Sequence, residues 1–210
     1  AFAQSAHSPA MFAAHAWTLH DAAIALRDRF RNAYPEHVGS NEHFANTQRG
    51  PELLLLGYAF ECALKAVLNL AGPSKPDRHD LYSGASGHDL VELAEAATRV
   101  RLTDDAVQAA EITRQVWGHL ISHEARNRLS DVEREVLRAL TGFAVYAGRY
   151  PTPLSTMPRE GPPWSERPIW NASWDPVVDA LWERYWNRAQ LAAGLTERRG
   201  VRAEGTAPTH

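Results

Sequence analysis

The stretch from Pro51 to Gly72, PELLLLGYAFECALKAVLNLAG, limits the possible folds more than any other part of the chain. It predicts a helix of about five turns that is apolar on nearly every side, and such a helix belongs at the centre of a bundle. Pro51 suits a first helical position, because the N–H it lacks would have no partner there. Gly72-Pro73 reads as the stop: glycine accepts a left-handed cap and proline cannot continue the ladder. A membrane span is excluded by Glu52, Glu61, Lys65 and Asn69 within the same stretch. Glu61, Lys65 and Asn69 follow one another at four-residue spacing and share one face. A carboxylate and an ammonium buried on a central helix are costly unless paired. Whatever faces this polar stripe is the first functional question.

A chain of 210 residues, 44% hydrophobic and 22% charged, predicts one sizeable globular domain. A net charge of −3 gives no global attraction to nucleic acid, although a local basic patch is compatible with it. Cys62 is the one cysteine, so neither a disulfide framework nor a cysteine zinc site can be built. No charged-then-apolar leader is visible, and the expected setting is cytoplasmic, with no membrane partner. Lys65 and Lys75 are the two lysines of a chain that otherwise uses arginine. Lys65 therefore marks a place where a compact ammonium is suited better than a planar fork.

Ser8-Pro9 predicts an N-cap followed by proline in the first turn. Phe12, Ala16, Leu19, Ala23, Leu26 and Phe30 then recur at helical spacing to about Ala33, and Pro35 ends the run. Residues 37–50 read as a polar loop before the central helix, and Pro73 to Gly87 as a second loop. Asp89 or His88 starts a helix to about Val100, with Leu90, Leu93 and Ala97 on one face. Another helix is expected from Thr103 to about His123. Ser130 and Glu133 form a capping box for a helix that runs to Arg149-Tyr150-Pro151. A Pro- and Trp-rich arm follows, then a final helix opened by Asp175-Pro176. The expected organisation is an all-α, up-and-down bundle over residues 8–151. The arm and final helix, 152–195, pack on it, and 196–210 form a disordered tail.

In this order of signals the chain resembles the HEPN superfamily, small helical bundles common in bacterial toxin–antitoxin and phage-defence loci. The resemblance rests on Glu61-x-x-x-Lys65 in the apolar helix, Gly87-His88-Asp89-Leu90 after the loop, and Arg149-Tyr150-Pro151 at the end of the fourth helix. It implies a homodimer packed through bundle helices and acting on RNA, on a nucleotide or on a partner protein from the same locus. It also implies that catalytic members are metal-independent endoribonucleases built on an Arg, a polar neighbour and a His. There the imidazole would take the 2′-hydroxyl proton and the guanidinium would hold the phosphate.

Two stretches match that pattern: Arg31-Asn32 with His37, and Arg114-Gln115 with His119. Arg114 with His119 is preferred, because it lies closer in chain order to the fourth helix, where the family carries its motif. The stretch from Ser130 to Arg149 itself contains no histidine. Arg114 and His119 would also lie about 500° apart around a regular helix, not stacked on one face. The reading is therefore a binding module without the standard motif, with the endoribonuclease as the alternative enzyme. A helical interaction protein with no nucleic-acid role is the third reading. Glu61, Lys65, His88, Asp89 and Arg149 are expected to converge, either as an anion pocket or as an ion network that sets helix register. His119 and His123 have the four-residue spacing of two metal ligands but no accompanying carboxylate pattern, and no metal or cofactor is expected. Trp164, Trp170, Trp174, Trp182 and Trp186 are read as staples that hold the arm against the bundle, in preference to a base-stacking surface.

Overall fold

The computed structural model describes residues 8–39, 43–70, 88–100, 128–144 and 170–204; for residues 43–47, 70 and 195–204 only the backbone is described. These residues form α1 (Pro9–Ala33), α2 (His43–Leu70), α3 (Leu90–Arg99), α4 (Asp131–Gly142) and α5 (Asp175–Glu204), with short 3-10 turns at Pro35–His37 and Ala172–Trp174. The fold is all-α, with no strand among the described residues.

Local chemistry sets the helix ends. The Ser8 side chain accepts the Met11 N–H at 3.1 Å, and Pro9 occupies the first turn of α1. Proline at position 35 disfavours helical backbone at Tyr34, which takes φ −137°, ψ 59° and closes the helix. Asp89 caps α3 by accepting the N–H groups of Val91 at 2.9 Å and Glu92 at 3.1 Å. Ser130 and Glu133 make the reciprocal capping box at the start of α4.

Two boundaries differ from the sequence reading. The central helix starts at His43, so Pro51 lies inside it and residues 43–50 are helical, not loop. A proline there removes one ladder bond at a carbonyl four residues back. The helix nonetheless runs through it, and Arg49 and Glu52, on either side of Pro51, are joined across it by ion pairs at 2.8 Å. The last helix continues to Glu204, past the expected boundary at 195. The predicted helix from Thr103 to His123, the end of the fourth helix at Arg149, the arm at 152–169 with Trp164, and the chain after 204 lie outside the described residues.

The central placement of α2 holds. It contacts each of the other four helices, and Leu53, Leu56, Phe60, Leu64 and Val67 are shut off from solvent. Gly57 lets α4 and the residues just after it approach closely: a Cβ there would lie 2.8 Å from Ala144 Cβ and 3.0 Å from the Leu140 carbonyl oxygen. The last helix is part of this core rather than an outer layer, since Val178, Leu181, Tyr185 and Ala189 on α5 are all buried. Trp182 meets Phe60 of α2 edge-on at 5.5 Å and stacks on Trp186. Trp170 is buried edge-on against Phe143 and Trp174 and donates its indole N–H to Asp175 at 2.9 Å. In the described part of the Trp-rich region the rings thus pin the entry of α5, as a staple would.

Candidate functional site

The polar stripe of α2 is a contact point. One turn of helix brings Lys65 Nζ to Glu61 Oε1 at 2.6 Å, and the other carboxylate oxygen meets His88 Nδ1 at 2.8 Å. Glu61 and Lys65 are each 8% exposed, whereas the His88 side chain is 35% exposed. Both oxygens of the carboxylate are therefore engaged, and one partner is reachable from water. His88 is placed by the residue after it: the Asp89 side chain caps α3, and this fixes the turn that carries the imidazole. The Thr141 hydroxyl of α4 accepts the Leu90 N–H at 3.1 Å and holds the same turn from the other side. Cys62, next to Glu61, has its thiol pushed up to about 11, first by burial and then by the neighbouring carboxylate, so it stays a protonated, unreactive thiol.

Four of the five expected residues are described. Glu61, Lys65 and His88 touch directly, and Asp89 serves the backbone of α3 instead of the cluster. Arg149 lies outside the described residues. Arg114 and His119, the preferred catalytic pair, also lie outside them, as do His119 and His123 as a metal pair. Among the described residues no three His, Cys, Asp or Glu side chains group as metal ligands.

The other Arg/His candidate is split by Pro35. Arg31 is on the last turn of α1 and turns toward Asp175, 3.8 Å away on α5. His37 is on the following 3-10 turn, against Glu36 and Tyr34. No hydrogen bond or ion pair joins Arg31, Asn32 and His37 to one another among the described residues.

A second charged centre was missed by the sequence reading. Glu52, 1% exposed, accepts from Arg27 Nε and from Arg49 Nη2 through Oε1, and from Arg49 Nε through Oε2, each at 2.8 Å. Arg27 reaches on to Asp179 at 2.8 Å and Arg49 to Asp175 at 2.9 Å. The network joins α1, α2 and α5. Burial alone would lower the pKa of both guanidiniums, but the hydrogen-bonded carboxylates outweigh it and both are raised. The signal for it was present. Arg27 sits in helical phase with Ala16, Ala23 and Phe30, and Arg49 and Glu52 are three residues apart.

His20 stands above this network. Its ring lies flat on Trp182, centroids 4.0 Å apart, and its pKa is lowered, first by burial and then by the Arg27 charge. On the opposite side of α5, Arg188 donates to the carbonyls of Ala97 and Val100, both at 3.0 Å, and so closes the C-terminal end of α3.

The class so defined is an all-α bundle around one buried helix, with an ionic junction on either side of that helix's midpoint. No helix of the described residues is long and apolar enough to cross a membrane. No family model, no curated protein and no solved structure matches the chain.

Proposed function

We propose that the chain is a HEPN-like module of a bacterial defence or toxin–antitoxin system that binds RNA without cleaving it, as a homodimer. The observation that carries this reading is the bond between Glu61 and His88. The two described motifs of the resemblance, Glu61-x-x-x-Lys65 and His88-Asp89-Leu90, are separate in sequence yet form one contact at 2.8 Å. Random matches to short motifs have no reason to meet in space. Binding is favoured over cleavage because Glu61 already engages both its partners, which describes a structural junction better than a group waiting for a proton. Arg31 and His37 also have separate partners. In the family pattern they would have to act on one phosphate.

The test uses the full chain with labelled single-stranded RNA and with total RNA. Binding without strand scission is the expected outcome, unchanged by His37→Ala or His119→Ala. Cleavage that either substitution abolishes would replace this reading with the endoribonuclease. No RNA binding and no cleavage would leave a helical protein that acts on other partners.

A further inference from the structure

Between the last turn of α3 and the segment entering α4 lies an open groove of about 500 Å³, lined by Glu95, Thr98, Arg99, Arg128, Leu129 and Arg134. That volume falls within the range of small-ligand clefts, roughly 300–1,000 Å³. Its charges are unequal. Arg134 spans to Glu95 at 3.2 Å and to Asp131 at 3.4 Å, so the one carboxylate of the groove is already engaged. The Thr98 hydroxyl donates to the Glu95 backbone carbonyl at 2.7 Å. Arg99 and Arg128 are exposed on the groove and make no ion pair among the described residues. Two guanidiniums are thus free to take a ligand, and the three arginines against Glu95 and Asp131 leave a surplus of one positive charge on a concave surface of a chain whose net charge is −3.

An anion here would ordinarily be opposed by the negative end of α3. That end is covered: the Arg188 guanidinium takes the carbonyls of Ala97 and Val100. The remaining field in the groove is positive, and a concave wall focuses it. Guanidinium forks pair with phosphate oxygens in a bidentate manner. None of the six lining residues is aromatic, so nothing in the lining stacks a base.

We infer that the α3–α4 groove, through Arg99 and Arg128, is a phosphodiester-binding site that holds the backbone of single-stranded RNA and does not read its bases. This rests on the proposed RNA-binding function and names where on the bundle the strand lies. It is separate from the Glu61–Lys65–His88 junction.

The experiment measures anisotropy of labelled oligouridine and oligoadenine with the full chain across a salt series. It compares the wild type with R99Q/R128Q and with R29Q/R138Q, which removes two exposed arginines outside the groove. The groove variant is expected to bind about tenfold more weakly. Its log affinity against log salt should flatten by about 1.4, roughly 0.7 for each lost phosphate contact. The control should bind within about twofold of the wild type, and the two RNAs about equally, as phosphate recognition requires. Equal losses in both variants, or none in either, overturn the groove and leave RNA binding standing. So does a strong preference for one base, or displacement of RNA by polyglutamate as readily as by unlabelled RNA. No binding of RNA by the wild type overturns both.

Discussion

Glu52 and Glu61 lie on the same helix, both buried, and both have two oxygens engaged, yet they are different kinds of junction. Glu52 is gripped by two arginines, one from α1 and one from its own helix, and those arginines reach on to two aspartates of α5. Glu61 is held by a lysine one turn away and by one half-exposed imidazole. The first arrangement is complete only when three helices are in register, because Arg27 comes from α1 and both arginines end on aspartates of α5. The second is half complete as soon as α2 forms. A buried carboxylate is thus either a lock between helices or a local pair with an open side, and what decides is whether its cations are themselves buried and reach on to carboxylates of a further helix.

The largest expected effect comes from breaking the lock. Glu52→Gln leaves Arg27 and Arg49 buried with their main counter-charge gone and should cost about 3–5 kcal/mol in urea unfolding. A loss near 1 kcal/mol would mean that Asp175 and Asp179 suffice, and the contrast with Glu61 would weaken. Gly57 provides a third junction, made with no charge. Its Cβ would strike Ala144 and the Leu140 carbonyl, so Gly57→Ala should cost about 1–3 kcal/mol by the same measurement. If it stabilises instead, α4 yields readily and the α2–α4 approach is not tight.

Smaller effects are expected at the open junction. Glu61→Gln removes the charge beside buried Lys65 and should cost about 1–2 kcal/mol, and His88→Ala about 0–1 kcal/mol because that ring is partly solvated. A cost at His88 that matches the one at Glu52 would erase the distinction between lock and pair. The smallest effect is a pH dependence. Folding lowers the pKa of His20 from its ordinary 6.5, so the unfolded chain binds more protons between the folded value and 6.5. Stability is then full above about pH 6.5 and falls as the pH drops toward the folded value. His20→Phe, which keeps a ring against Trp182, should flatten that decline in thermal unfolding between about pH 7 and pH 5. An unchanged slope would place the acid sensitivity elsewhere.

Much of the fold could be read from short-range patterns. Ser8-Pro9, Asp89 and the Ser130–Glu133 box mark helix starts because a cap is chemistry between residues three apart. The Glu61–Lys65 pair was visible for the same reason. The network at Glu52 was not, because its partners lie far apart in sequence, at Arg27, Asp175 and Asp179. What showed locally was Arg27, as a cation in the phase of an apolar stripe, and the three-residue spacing of Arg49 and Glu52. Pro51 misled as well: proline is a common helix start, but here the helix runs through it, spanned by the Arg49–Glu52 ion pairs.

The residues alone determined that this chain is helical, that one helix must be central, and that Glu61 and Lys65 share a face of it, since periodicity and capping act within a few residues. Tertiary structure decided that His88 closes on Glu61, that α5 belongs to the core, and that Arg27, Arg49 and Glu52 meet out of reach of water. Those outcomes depend on how helices pack against one another, and a buried charge finds its partner only once they have done so.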